Sequence, residues 1–212
     1  MSSPILNIIC FHGFTQNAST FEKKLSKLLK AVKNDIKQHY LEGIVNLPTT
    51  EQTASKAYWV YSIEDPLNVS WLDHYKENTN IYFLKESLDA FLELVNKIGR
   101  VDGIIGFSQG GCFADYICKL QELKQISCDI KFVIFISAKY FDRSGYLEDK
   151  IINPTIKSLH IYGKSDQIIP PKLSQKLSEY YPNKTVFVHD GAHIIPSNSA
   201  AKTTLKEFIK NQ

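Results

Sequence analysis

A chain of 212 residues with 43% hydrophobic and 22% charged side chains suits one ordinary soluble domain with a sizeable core. Its formal net charge is only +3, its lysines are scattered, and Arg100 and Arg143 are its two arginines. Nucleic-acid binding therefore has no compositional support.

The segment after Met1-Ser2-Ser3-Pro4 lacks a basic leader and holds an apolar run of only about six residues, too short for a signal-peptide core or a membrane span. Cys10, Cys112, Cys118 and Cys128 form no C-x-x-C pair, and a reducing compartment is the simplest reading. A cytosolic protein is expected, as a monomer or weak dimer.

Ile5 to Phe11 is nearly all apolar, as in a central strand covered on both faces. It runs into His12-Gly13-Phe14-Thr15-Gln16-Asn17, the form of an oxyanion-hole loop. Asn17 or Ser19 can cap a helix from about Ser19 to Val32, with Phe21, Leu25, Leu28, Leu29 and Val32 on one face. Tyr40 to Pro48 predicts a second strand, stopped by the proline.

Thr49 to Asn80 is the least regular stretch, holding Trp59 and Trp71 with Tyr58, Tyr61 and Tyr75. A loop of this length is uncommon in a compact domain and usually functional. It reads either as a lid or substrate-pocket insertion, or as a loop whose aromatics pin it to the core. On the first reading Trp59 and Trp71, with His12 nearby, line a pocket for an apolar acyl group.

Helical spacing returns from about Thr79 to Ile98, closed by Gly99. Val101 to Phe107 then enters Gly106-Phe107-Ser108-Gln109-Gly110, a G-x-S-x-G sequence with an apolar strand before it and a helix from Gln109 to about Leu123 after it. That context predicts a nucleophile elbow, with a serine held on a strained turn and glycines where strand and helix backbones crowd. Phe132 to Ile136, Ile156 to Tyr162 and Thr185 to Val188 are further strands. Helices follow from Pro170-Pro171 to about Tyr181 and from about Ser199 to Ile209. Alternation of strand and helix along nearly the whole chain argues an α/β fold in one domain: a mostly parallel sheet with helices on both faces and reactive groups at the strands' carboxyl ends.

A serine hydroxyl needs a base within hydrogen-bond reach, and the base a carboxylate to set its tautomer. Three strand-end loops offer Ser108, Asp166 and His193 in the α/β-hydrolase order of serine, acid, histidine. Among the other histidines, His39 and His74 lie in polar surroundings and His160 lies inside a strand. His189 lacks a glycine-flanked loop, and His12 belongs to the oxyanion loop. Asp190 and Asp142 compete with Asp166, and Cys112 with Ser108, less favourably. Backbone amides of Gln109 and Phe14 are the expected oxyanion donors. No Cys/His cluster or G-x-G-x-x-G exists, so no metal or dinucleotide is expected.

The His12-Gly13-Phe14-Thr15-Gln16-Asn17 loop, the Gly106-Phe107-Ser108-Gln109-Gly110-Gly111 elbow, Gly163-Lys164-Ser165-Asp166 with Ile169-Pro170, and Gly191-Ala192-His193-Ile194-Ile195-Pro196 together resemble a family of serine hydrolases first described in fungi. That family includes ovarian-cancer-gene-2-like hydrolases and stand-alone thioesterases of fungal polyketide pathways. The resemblance covers the chain nearly end to end. It implies a compact α/β-hydrolase fold whose sheet starts at the strand carrying the oxyanion loop. It also implies carboxylesterase or thioesterase activity on small acyl substrates, no cofactor, and a triad of Ser108, Asp166 and His193. An acyl-protein or acyl-carrier thioesterase would use the same residues, and a catalytically silent binding module is the competing class.

Overall fold

The computed structural model describes residues 4–49, 54–67, 80–141 and 153–212. Strands β1 (Leu6–Phe11), β2 (Ile36–Leu41), β5 (Gly103–Phe107), β6 (Phe132–Ile136), β7 (Lys157–Gly163) and β8 (Lys184–His189) form a six-stranded sheet in the order β2-β1-β5-β6-β7-β8. Every neighbouring pair in it is parallel. Strands β3 (Val45–Leu47) and β4 (Ser55–Ala57) make a separate antiparallel ribbon.

Side-chain alternation along the strands divides the core in two. Ile8, Cys10, Ile105, Phe107, Ile134 and Ile136 point to one face, where Phe21 and Leu25 of helix α1 (Ala18–Leu29) and Leu205 and Phe208 of α5 (Ser199–Lys210) cover them. Ile9, Phe11, Ile104, Val133 and Phe135 point to the other. There Phe91 of α2 (Leu84–Ile98), Phe113 and Ile117 of α3 (Gln109–Glu122) and Leu177 of α4 (Pro171–Glu179) meet them. The fully apolar runs in β5 and β6 are buried at every position because both faces are covered.

Chain order and sheet order part company at β1. It comes first in sequence but second in the sheet, with β2 outside it and β5 on its other side. The chain reverses direction across the sheet between β1 and β5, and such a point opens a crevice beyond the strands' carboxyl ends. His12 to Phe14 leave β1 there and Ser108 leaves β5.

Boundaries agree with the sequence reading except in the first half of the chain. Asn17 caps α1, its side chain accepting from the Thr20 amide at 2.8 Å. The expected Tyr40–Pro48 strand is instead two strands broken at Glu42-Gly43-Ile44. Gly43 turns its amide to His12 Nε2 at 2.9 Å, and a methyl group there would meet the Ala57 carbonyl oxygen at 2.7 Å. Helix α2 begins at Leu84 after Phe83, whose φ is 70°.

Of the two readings of the 49–80 stretch, the segment from Ser55 to Val60 fits the second, a loop whose aromatics pin it to the core. Ser55, Ala57, Tyr58, Trp59 and Val60 are buried. Tyr58 stacks on Phe113, and Trp59 packs edge-on against Phe141. Trp71 and Tyr75 lie outside the described residues.

Candidate active site

Ser108 sits between β5 and α3 with φ 52° and ψ −118°, a conformation that costs a non-glycine residue about 1–3 kcal/mol. Its surroundings hold it there. The Ser108 amide donates to the Ile136 carbonyl at 2.9 Å, and its carbonyl accepts from Gly111 and Cys112 at 3.0 and 3.1 Å. A methyl group on Gly106 would lie 2.4 Å from the Gly110 oxygen, and one on Gly110 would lie 2.4 Å from the Phe11 oxygen. The elbow is therefore pressed against β1 as well as turned on itself.

Asp166, at the turn after β7, is buried, while His193, in the loop after β8, keeps a partly exposed ring. Asp166 Oδ1 accepts the amides of Ile168 and Ile169 at 3.0 and 2.9 Å, which leaves Oδ2 for His193 Nδ1 at 2.7 Å. A carboxylate at that distance makes Nδ1 the protonated nitrogen, so Nε2 carries the lone pair. The His193 ring packs against Phe107, centroids 4.8 Å apart. Ser108 and His193 line one cavity of about 870 Å³.

His12, expected beside a substrate pocket, is fully buried and absent from the cavity lining. Nδ1 faces the Gly13 carbonyl at 2.8 Å and Nε2 receives the Gly43 amide at 2.9 Å. A carbonyl only accepts and an amide only donates, so the ring is neutral with its proton on Nδ1. Burial pushes its pKa down to about 4. The Glu42 carboxylate 3.8 Å from Nε2 is consequently no ion-pair partner. His12 orders the loop.

Trp59 is likewise 2% exposed and outside the lining. Its segment braces the loops around Ser108. Lys56 exchanges backbone hydrogen bonds with Thr15 and Gln16 at 3.0 and 2.9 Å. Ser55 Oγ donates to the Thr15 carbonyl at 3.0 Å, and Asn17 Nδ2 to Ala54 at 2.6 Å. The Tyr58 hydroxyl receives the His12 amide and donates to Leu41. Gln109 closes the set: Oε1 accepts the Tyr58 amide at 3.0 Å and Nε2 donates to the Trp59 carbonyl at 2.9 Å. Sequence reasoning credited Gln109 with its backbone amide alone. The apolar run Ala57-Tyr58-Trp59-Val60 was the available signal.

The Gln109 amide is the first of α3, where the helix dipole favours negative charge. Gly13 and Phe14 line the cavity beside Ser108, and a methyl group on Gly13 would stand 3.3 Å from Ser108 Cβ. The loop backbone thus passes directly over the serine. Among the described residues the apolar lining comes from Phe14, Phe107, Ile168, Ile194 and Ile195, and not from Trp59. Ile168 and Ile194 sit beside Asp166 and His193 in the chain, a placement the sequence already showed. Lys23, Lys24 and Lys27 of α1 also line the cavity.

The competing side chains point elsewhere. Asp190 pairs with Lys164 at 2.8 Å and is 92% exposed. His160 is buried against Phe135 and Tyr181, with its pKa pushed down to about 3 by burial. His189 Nδ1 accepts the Gly191 amide, and His39 bonds Asn7. Burial raises the Cys112 thiol to about 11, so it is no thiolate at neutral pH. His74 and Asp142 lie outside the described residues. Among the described residues no group of three or more His, Cys, Asp or Glu side chains could hold a metal ion, and no helix is long and apolar enough to cross a membrane.

A parallel sheet with a strained serine at its switch point and an Asp-paired histidine on the same cavity defines an α/β hydrolase. Solved structures that share the fold include maize acyl-protein thioesterase 2 (TM-score 0.65, 15% identity, 98% of this chain and 95% of that one) and a Bacillus cereus carboxylesterase (TM-score 0.63, 16% identity, 98% and 88%). The family model described as Serine hydrolase (FSH1) matches residues 1–205, and the chain belongs to that family. Curated relatives include the zebrafish Esterase OVCA2, 26% identical over 226 aligned residues covering 99% of each chain. The Drosophila melanogaster Esterase CG5412 is 31% identical over 219, covering 98% of this chain and 74% of that one.

Proposed function

We propose that this serine hydrolase cleaves carboxylic esters or thioesters of small acyl groups through an acyl-enzyme on Ser108. The observation that carries the reading is the Asp166–His193 hydrogen bond, which leaves Nε2 as the free base on the cavity that Ser108 lines. His193 takes the hydroxyl proton as Ser108 Oγ attacks the acyl carbon. Asp166 stabilises the resulting imidazolium, and the Phe14 and Gln109 amides receive the oxyanion. His193 then protonates the departing alkoxide or thiolate. Water, deprotonated by the same nitrogen, releases the acid and restores the serine.

The acyl group lies against Phe14, Phe107, Ile168, Ile194 and Ile195. No metal or organic cofactor enters these steps. The four cysteines are free thiols, which supports a cytosolic setting.

Hydrolysis of p-nitrophenyl acyl esters by the wild type and by Ser108→Ala tests the reading, with fluorophosphonate labelling located by mass spectrometry. The wild type is expected to turn over and to label at Ser108. A Ser108→Ala protein that hydrolyses at the wild-type rate would overturn the assignment. Matched ester and thioester series of increasing acyl length rank the two leaving groups.

A further inference from the structure

Three exposed lysines of α1, Lys23, Lys24 and Lys27, line the cavity that holds Ser108 and His193, and among the described residues no acidic side chain lines it with them. Lys23 and Lys27 are four residues apart and Lys24 and Lys27 three, so all three ammonium groups project from one face within about 6 Å of helix length. Like charges at these spacings repel one another in the empty protein. Among the described residues none of the three has a carboxylate within ion-pair distance, whereas Lys85, Lys131 and Lys164 do. The one acid on the helix, Glu22, is exposed and not within ion-pair distance of any of the three. A cation in the last turn complements the helix dipole, which accounts for Lys27. Lys23 and Lys24 sit mid-helix, where the dipole does nothing for them.

Resting on the hydrolase reading above, we propose that the substrate carries a negative charge beyond its scissile carbonyl, and that Lys23, Lys24 and Lys27 bind it. The substrate is then amphiphilic. Its apolar part lies on Ile168, Ile194 and Ile195, and its anion on the lysine face of α1. The anion is either a carboxylate at the far end of the acyl group or a phosphate on the leaving group.

Two matched pairs separate these sources. A p-nitrophenyl hemiglutarate is compared with p-nitrophenyl pentanoate, and an acyl-coenzyme A with the same acyl group on neutral N-acetylcysteamine. Each ratio of kcat/KM, anionic over neutral, is measured in the wild type, in Lys23→Glu/Lys27→Glu, and in Lys97→Glu, an exposed lysine of α2. The double variant is expected to lower one ratio about tenfold or more, and salt to lower the same ratio in the wild type. The pair that responds identifies where the charge sits, and Lys97→Glu leaves both ratios at the wild-type value. Unchanged ratios in the double variant for both pairs would overturn the proposal.

Calorimetric titration of Ser108→Ala protein with the two anionic compounds, with and without the double substitution, judges the lysines separately from catalysis. Affinity that survives charge reversal for both compounds also overturns the proposal. Failure of the wild type on every ester and thioester, anionic and neutral alike, counts against the hydrolase reading instead.

Discussion

Asp166 accepts from His193 at 2.7 Å with one carboxylate oxygen while the Ile168 and Ile169 amides occupy the other. The two roles are separable. An Asp166→Asn side chain keeps an oxygen for the two amides but turns an amide nitrogen towards His193, which favours the wrong tautomer. We expect kcat to fall by about 10³–10⁴ with little change in KM or melting temperature. A variant with near-wild-type kcat would remove Asp166 from the proposed triad.

Gly13 sits where a side chain would crowd Ser108. The methyl group of Gly13→Ala would come within 2.9 Å of Phe107 Cδ1 and 3.3 Å of Ser108 Cβ. The expected result is about 1–3 kcal/mol of lost stability from overpacking together with slower acylation. Urea unfolding and the rate of fluorophosphonate labelling check the two effects independently.

Gln109 ties α3 to the Tyr58-Trp59 backbone through both ends of its amide. Gln109→Ala keeps the backbone N–H but strands a buried amide and a buried carbonyl. A loss of about 2–4 kcal/mol is expected, from the cost of each unsatisfied group. Chemical denaturation measures it, and an unchanged midpoint would show that the brace carries no stability.

Acid should loosen the same region. The His12 pKa falls from 6.5 to about 4 on folding, so between those values the unfolded chain binds a proton that the folded chain refuses. Stability from this group is complete above pH 6.5, declines as pH falls and is gone below about 4. The loss from His12 is about 3 kcal/mol. His160, lowered to about 3, extends the decline further down. Urea midpoints taken from neutral pH to pH 4 should decrease throughout; a flat profile would falsify the neutral, locked His12.

Much of this is legible in the sequence, and the legible parts share a cause. The β6 run from Phe132 to Ile136, the Asn17 cap, the Gly106 to Gly110 elbow and the Gly99 helix stop are local signals, written in neighbouring residues. Asp166 and His193 could be picked out because each closes a strand in a known order. The Ser55 to Val60 brace could not. It looked irregular because its partners are His12, Leu41 and Gln109, which stand 17 to 51 residues away in the chain. Both Trp59 and His12 were misplaced for the same reason: an aromatic or imidazole near a site in sequence says nothing about which way it faces.

By itself, then, the sequence determined the alternation of strands and helices, the strained serine and the set of strand-end loops able to meet it. These follow from hydrophobic period, glycine spacing and caps, all of which act over a few residues. Only the tertiary structure decided that β2 lies outside β1, that residues 54–60 lock the loop over Ser108, and that the outer face of α1 turns three lysines into the cavity. Those outcomes depend on which distant surfaces close on one another, and burial between remote segments leaves no mark in the order of residues within either one.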